Sequence, residues 1–424
     1  MVLANLSLII DDIEPSKGVE KPVSLDQLSS LLREADGEGI GIVPFGGGTR
    51  LDVGSIPTKY DIALDLSAFD QIVSHNPADL TCTVGAGITV GVLQETLAAH
   101  GQFLAVDTPL PDKATIGGTI ASSALGYLRW QLGHPRDTVI GMEVILANGT
   151  VTKSGGQVVK NVSGYDMARL HVGGLGTLGI ISKVSFKLTP RPFKELSVKL
   201  LFRDSYMAHS FAHSLFGSSM MPLAFASVHG DAVELFAGQS SKTDVFCAIK
   251  IGGRLRACDR QVAIVEKLAR DFEAQGIQTV DEAESDLLWQ SIRDYSGSSN
   301  KFDSIIGRIY ASPSNMHEIE ETLVKRLSVS SSIYSLICQQ GFGAALLFVE
   351  DSENKSEVSL LKDLREIVNR FQSTLVFEKL PPLLKASIDV WDSGRLSSIE
   401  QMKSLKKTYD PNSTLNAGRF VAGI

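Results

Sequence analysis

Residues 44–50 read Pro-Phe-Gly-Gly-Gly-Thr-Arg and follow a strand-like run from Ile40 to Pro44. Three glycines in a row let the backbone adopt positive φ and approach a ligand that any Cβ atom would push away. No helical period follows at 51–60, and residues 62–66 then alternate like a strand. P-loops and Rossmann phosphate loops need a helix directly after the glycines, so both are disfavoured. The segment predicts either another kind of ligand-binding loop or an ordinary glycine-rich turn.

The elements around this loop mix helices and strands. Upstream, Ser24 and Gln27 have the spacing of a helix cap, an apolar stripe follows, and Gly37 marks the predicted end of the helix. Downstream, periodicity predicts strands at 81–84 and 141–146 and a helix at 90–100. This mixture is typical of an α+β fold.

A second segment rich in small residues, 115–126, reads Thr-Ile-Gly-Gly-Thr-Ile-Ala-Ser-Ser-Ala-Leu-Gly. Its side chains are too small to form a large core, but they allow the backbone to pack closely against a ligand. Its amides and hydroxyls are available to a pyrophosphate. The alternative is a tightly packed helix of small residues with no ligand.

A third segment, Gly174 to Gly179, is a literal G-x-G-x-x-G. In a dinucleotide-binding unit these glycines follow a strand and open a helix. Here a helix-like run at 165–171 precedes them and a strand-like run at 180–188 follows. The order of elements therefore argues against an NAD site.

The length of 424 residues predicts two lobes, because single hydrophobic cores stop growing at roughly 250–300 residues. The Pro-Arg-Pro sequence at 190–192 marks the boundary. Beyond it, glycine clusters nearly disappear, and amphipathic helices are predicted at 259–275 and 314–327.

Charge and cysteine content exclude several classes of function. A net charge of −8 gives no reason to bind nucleic acid or anionic lipid. The four cysteines are scattered, which predicts reduced thiols in the cytoplasm rather than disulfides or a metal centre. The apolar run at 6–10 is too short for a signal peptide, and no stretch is long enough for direct membrane insertion.

Taken together, the segments at 44–49, 114–126 and 158–181 resemble the three flavin-contacting stretches of the flavoprotein family that includes vanillyl-alcohol oxidase and p-cresol methylhydroxylase (PCMH). The C-terminal sequence from Asp410 to Phe420 is similar to the closing motif of that family, with Ala417 in place of the usual proline. The resemblance implies a PCMH-type FAD-binding domain of two α+β subdomains at 1–190. It further implies an α+β cap or substrate domain with an antiparallel sheet at 191–390, and a segment at 391–424 that returns to the flavin.

The resemblance also implies an FAD whose pyrophosphate is held by the main-chain amides of residues 44–49. No residue can be assigned as a covalent anchor, so a non-covalent FAD is expected. The residues expected to bind it are Pro44, Gly46, Gly47, Gly48, Thr49, Thr108, Pro109, Thr115, Gly117, Gly118, Ser122, Gly126, Arg129, Gly176, Ile180 and Asn416.

Within the family, the segments at 126–129, 133–137 and 160–166 are similar to the E-type FAD-binding subunits of bacterial glycolate oxidase. This similarity implies a substrate of the glycolate or D-lactate type, a D-type flavoprotein partner and an iron–sulfur partner. The expected location is the cytoplasm, or the inner membrane through those partners. The metal and base motif H-x-H…H, usual in the D-type subunit, is absent. A non-catalytic flavin-carrying subunit, a stand-alone oxidoreductase and a flavin reductase of cell-wall precursor synthesis remain alternatives.

Catalytic residues are harder to predict. Oxidation of a 2-hydroxy acid needs a cation for the substrate carboxylate and another for the reduced flavin, so Arg308 and Arg419 are the arginines expected at the isoalloxazine. An ion pair is the alternative role for Arg308. His134 is the histidine nearest a motif and is the candidate base, with a structural role as the alternative. His209 and His213 have helical spacing without an intervening carboxylate, so no metal site is predicted.

Overall fold

The computed structural model describes residues 9–124, 126–128, 133–156, 165–238, 240–241, 243–298, 304–329, 333–350 and 357–424. The chain divides into two compact units. The first comprises Met1–Leu125, His134–Arg191 and Asp389–Ile424, and the second comprises Gly126–Gly133 and Pro192–Ile388.

The first unit begins with a parallel sheet of three strands in the order β1-β3-β2, which packs with helix α1. The elements are β1 (Gly18–Glu20), α1 (Leu25–Glu38), β2 (Ile42–Phe45) and β3 (Ile62–Asp65). The hydroxyl of Ser24 accepts a hydrogen bond from the Gln27 amide, as the sequence predicts. The helix passes Gly37 and ends at Gly39, because Gly39 adopts the left-handed conformation (φ 69°) that closes the last turn.

A second, five-stranded antiparallel sheet of this unit has the order β4-β5-β9-β7-β8. The elements are β4 (Ile72–Asn76), β5 (Thr81–Gly85), α2 (Val90–Ala98), β6 (Gln102–Phe103), α3 (Ile116–Ala121), α4 (Pro135–Thr138), β7 (Val139–Ile145), β8 (Val151–Gly155), α5 (Ala168–His171), β9 (Ile180–Lys187) and β10 (Thr189–Pro190). Fully buried side chains such as Leu93, Ile116 and Phe186 join the helices to the sheet in one core.

The second unit is built on an eight-stranded antiparallel sheet in the order β14-β11-β13-β12-β16-β17-β15-β18. Its strands are β11 (Lys194–Phe202), β12 (Ala224–Gly230), β13 (Val245–Gly253), β14 (Gly276–Val280), β15 (Ser304–Tyr310), β16 (Ile333–Gln339), β17 (Ala344–Glu350) and β18 (Thr374–Lys379). Its helices are α6 (Ser205–Phe216), α7 (Ala232–Ala237), α8 (Leu255–Asp271), α9 (Glu282–Ser298), α10 (Met316–Ser328), α11 (Glu357–Arg370) and α12 (Pro382–Lys385). The expected α+β class with an antiparallel sheet in the second part of the chain is confirmed.

The C-terminal segment belongs to the first unit. Helix α13 (Ile399–Tyr409) leads into it, and Leu415 then pairs in parallel with Ile42 of β2. Buried Asp410 fixes the turn between them, because its carboxylate accepts hydrogen bonds from the Thr414 and Leu415 amides, both at 2.8 Å. Among the helices of the described residues, none combines the length and the apolar character that crossing a bilayer requires.

Candidate functional site

A cavity in the first unit, partly open to solvent, brings together the three glycine-containing segments and the C-terminal segment. Segment 44–51 forms one part of its wall, and the first turn of α3 forms another. The remaining lining residues are Val53, Leu66, Ala86, Ala121, Ser122, Leu175, Gly176, Ile180, Ile181, Asn416 and Arg419.

Three of the glycines are required by the packing of the chain on itself. A Cβ atom on Gly47 would overlap the backbone carbonyl of Lys113, and one on Gly46 would overlap the Thr115 side chain. A Cβ on Gly117 would lie 2.7 Å from that of Ala86. Gly46 and Gly47 therefore let the 44–49 loop approach the start of α3, and Gly117 lets α3 approach Ala86, so these segments line one cavity.

The loop after β2 offers backbone donors to a ligand. Among the described residues, no acceptor takes the N–H groups of residues 46–49. Gly48 adopts φ 70°, and a Cβ there would meet nothing closer than 3.6 Å. Successive free amides around a left-handed residue form an anion-binding nest. This loop therefore provides the contacts that a diphosphate needs, without a helix and without lysine.

The G-x-G-x-x-G segment forms another part of the wall. Helix α5 precedes it and strand β9 follows it, which confirms that the order is the reverse of a dinucleotide-binding unit. Leu175 and Gly176 both adopt positive φ, at 50° and 70°. The Asn416 side chain donates to the Leu175 carbonyl, and the Asn416 amide donates to Ile42. Asn416 thus connects the third glycine segment to β2 at the cavity.

Arg419 carries a positive charge at the cavity. Its guanidinium donates to the carbonyls of Leu51 and Val53 and to Asn416 Oδ1, and its Nε has no partner among the described residues. Burial lowers the pKa of Arg419, and burial raises the pKa of nearby Tyr60 to about 12. The Arg419 side chain holds residues 51–53 in place through its hydrogen bonds to their carbonyls, and its charge favours an anionic group in the cavity.

The structure places twelve of the sixteen residues expected at FAD on the wall of this cavity. They are Pro44, Gly46, Gly47, Gly48, Thr49, Thr115, Gly117, Gly118, Ser122, Gly176, Ile180 and Asn416. Thr108 and Pro109 are not among the lining residues, and Gly126 belongs to the second unit. Arg129 lies outside the described residues, as do residues 160–164 of the E-type pattern.

The other two residues with predicted catalytic roles have structural partners. His134 caps α4 through Nδ1, which accepts from the Arg136 amide, and its Nε2 lies 3.1 Å from Ser123 Oγ. Arg308, in the second unit, forms a buried ion pair with Glu378 through Nε and Nη2. The ion pair agrees with the alternative role expected for Arg308. A role of Arg308 at the flavin stays a prediction.

Several lining residues were not predicted. Arg50 ends the quoted glycine segment, and Leu51 and Val53 follow in the stretch that lacks helical period. That absence of period was the available signal, because a loop after ligand-binding glycines continues along the ligand. Leu66, Ala86 and Leu175 carry no local signal, since their position at the cavity depends on contacts between distant segments.

The unpaired amides of residues 46–49, the closely packed glycines of the wall and buried Arg419 fit a cofactor with a diphosphate and a large ring system. A model of the FAD binding domain family matches residues 16–155. The chain is 26% identical over 430 residues to "Glycolate oxidase subunit GlcD" of Bacillus subtilis, covering 95% of this chain and 88% of that protein. It is 24% identical to a mitochondrial "D-lactate dehydrogenase [cytochrome]" of Arabidopsis thaliana, covering 94% of this chain and 72% of that protein.

Solved structures agree on the fold. The crystal structure of p-cresol methylhydroxylase with substrate bound superposes with a TM-score of 0.73 at 15% identity, covering 97% of this chain and 90% of that one. The match extends over the second unit as well as the first. The chain therefore has the fold of the PCMH-type flavoenzymes, contains an FAD binding domain at 16–155, and is an FAD-linked oxidoreductase.

Proposed function

We propose that the chain binds FAD non-covalently in the cavity of the first unit and oxidises a small 2-hydroxy acid as the E-type FAD-binding subunit of a glycolate oxidase-like complex. The observation that carries the proposal is the loop at 46–49, whose free amides line the same cavity as Arg419. In the part of the chain that the structure describes, the cavity wall contains no His, Cys or Tyr. This composition favours a non-covalent cofactor, because a covalent link needs a nucleophilic side chain.

Bound FAD would supply the two-electron acceptor for oxidation of a carbon that bears a hydroxyl group. The amides of 46–49 would hold its diphosphate, and the small residues of α3 would let it approach the backbone. Arg419 would stabilise the negative charge that reduction brings into the cavity, because its own charge is buried and fixed by backbone carbonyls. We assign no base.

The substrate class rests on the relatives. Glycolate oxidase and D-lactate dehydrogenase both act, by their names, on 2-hydroxy acids, and each matches nearly the whole chain. Assembly with a D-type flavoprotein and an iron–sulfur subunit rests on the E-type sequence pattern at 126–129, 133–137 and 160–166. Cytoplasmic location, with attachment to the inner membrane through those partners, follows from the same proposal.

A flavin-carrying subunit without its own dehydrogenase activity is the second candidate. The sequence of the second unit contains no H-x-H pattern, which supplies metal and base in the D-type subunit. In this candidate the FAD site is the same, but the substrate would be oxidised on the partner.

Reduction of the purified, FAD-loaded chain separates the two candidates. Glycolate, D-lactate or D-2-hydroxyglutarate is added without oxygen, with L-lactate as the stereochemical control, and the flavin absorbance is followed. Bleaching by a D-2-hydroxy acid supports the catalytic subunit, whereas a bound but unresponsive flavin supports the flavin-carrying subunit. Acid precipitation should release all the flavin from the protein. A chain that takes up no FAD would refute both.

A further inference from the structure

A cluster of three metal-ligating side chains lies in the core of the second unit, and none of the three is among the residues that line the FAD cavity. His229 is on β12, Glu320 on α10 and Cys338 on β16, and each is at most 3% exposed. One ligand atom from each side chain lies within 4.8 Å of the other two. Nothing in the proposed flavin chemistry uses these groups.

The hydrogen bonding of this cluster is incomplete. His229 Nε2 and Glu320 Oε1 lie 3.0 Å apart, yet neither atom forms a hydrogen bond of acceptable geometry within the described residues. Gln340 Nε2 donates to Glu320 at 3.0 Å, while Gln340 Oε1 also lacks a partner. A buried polar atom without a partner costs about 1–3 kcal/mol, and a missing ion is one common explanation for such atoms.

The position of the cluster on the sheet separates it from the other core of the second unit. Val228 and Ile337 pack in the core that contains Tyr127 and Trp289. Because side chains alternate along a strand, neighbouring His229 and Cys338 point to the opposite face. That face is covered by helices that include α10, which supplies Glu320.

Three further imidazoles, of His317, His209 and His213, lie close to one another in the second unit. His317 lies one helical turn before Glu320, and its ring stacks on His209 with centroids 3.9 Å apart. His209 lies near exposed His213, with ring centroids 6.3 Å apart. The Nδ1 atoms of His209 and His317 are buried and have no partner among the described residues.

We propose that His229, Glu320 and Cys338 bind a zinc ion. Imidazole, carboxylate and thiolate are the ligands that Zn²⁺ accepts, and its bond lengths of about 2.0–2.3 Å require only small movements of the three side chains. A thiolate and a carboxylate neutralise the two positive charges, so the buried site carries no net charge. The amide of Gln340 orients Glu320, as outer hydrogen bonds do at zinc sites. The ion links α10 to two strands of the sheet and is structural.

The test uses the full-length protein, without an affinity tag, after treatment with a chelator and dialysis against Zn²⁺. We expect one zinc per chain by elemental analysis and a higher thermal unfolding temperature with the metal. Co²⁺ in its place should give a thiolate-to-cobalt charge-transfer band. Cys338→Ser should abolish this band, and Glu320→Gln should weaken metal binding at least tenfold.

Cys82→Ser is the control, because Cys82 is also a buried free cysteine but lies on β5 of the first unit. This variant should keep the metal and the cobalt band. A folded wild-type chain that retains no zinc and gives no thiolate band with Co²⁺ would overturn the proposal. So would a cobalt band that survives in Cys338→Ser. If the Cys338 or Glu320 variant fails to fold, the wild-type cobalt spectrum decides alone.

Discussion

Gly47 illustrates how a single atom controls the candidate site. A Cβ at this position would overlap the Lys113 carbonyl, which is backbone and cannot rotate away. We expect Gly47→Ala to separate the 44–49 loop from α3, to destabilise the protein by several kcal/mol and to abolish FAD binding. Urea unfolding and FAD titration measure the two effects.

Gly37→Ala is the control for that substitution. Gly37 lies inside α1 with no atom within 4 Å of its Cβ position, so alanine there should stabilise the helix by about 1 kcal/mol. If Gly47→Ala bound FAD and unfolded like the wild type, the 44–49 loop could move away from Lys113 at no cost in stability or in FAD affinity. Close packing at Gly47 would then not be required for the site.

The lowered pKa of buried His171 makes the free energy of unfolding depend on pH. Burial lowers its pKa from 6.5 to about 4, so below pH 6.5 the unfolded chain binds a proton that the folded chain does not. The stabilisation is complete above pH 6.5 and is lost as the pH falls towards 4, by at most about 3 kcal/mol. His171→Gln should therefore reduce the difference in unfolding free energy between pH 7 and pH 5. An equal difference in both proteins would contradict this.

At the scale of elements, local periodicity and capping residues predict where individual helices begin and end. The helix expected at 314–327 is observed at Met316–Ser328, and the cap at Ser24 is as predicted. These features depend on neighbours in the chain, which the sequence displays directly. The prediction for Gly37 failed because a glycine inside a helix and a glycine that ends one look alike until the backbone angles are known.

Features that depend on distant segments could not be predicted from the residues alone. The order of the eight-stranded sheet places β11 beside β13 and β14, and β18 at the far edge. His229, Glu320 and Cys338 come from two strands and a helix, so no spacing pattern marks them. The glycine-rich segments at 44–50 and 115–126 indicate ligand-binding backbone by themselves, but the family resemblance was needed to bring twelve residues from distant segments together at one FAD.

The turn after α13 is the element on which the C-terminal part of the cavity depends. Lys406 Nζ lies 2.6 Å from Asp410 Oδ2 and also donates to the carbonyls of Thr177 and Leu415. Asp410→Ala leaves this buried lysine without its counter-charge, which should cost about 3–5 kcal/mol and displace Asn416 from the cavity. Chemical denaturation and FAD affinity are the measurements.

An exposed pair with the same spacing provides the control for Asp410. Glu366 and Arg370 are also four residues apart on a helix, but both side chains are about two-thirds exposed. Glu366→Ala should change stability by about 0.5 kcal/mol or less and leave FAD binding intact, because exposed ion pairs contribute little. If Asp410→Ala and Glu366→Ala reduced the free energy of unfolding equally, burial would not make the Lys406–Asp410 pair more important than an exposed pair.

At the scale of the whole molecule, each unit has its own hydrophobic core, and the two proposed ligands belong to different units. A ligand stabilises the part of the protein that it binds, by about 2.7 kcal/mol when its concentration is a hundred times its dissociation constant. We therefore expect calorimetry of the apo-protein to resolve two transitions. FAD should raise the temperature of one of them, and zinc should raise that of the other.

Two variants assign the transitions. Gly47→Ala should lower the transition that FAD raises, because both act on the first unit. Leu347→Ala truncates a fully buried side chain on β17, which should cost about 2–5 kcal/mol and lower the transition that zinc raises. A single transition lowered by both variants and raised by both ligands would show that the cores unfold together. A zinc effect confined to the transition that FAD raises would instead place the metal in the first unit, because a ligand cannot stabilise a core to which it contributes no contact.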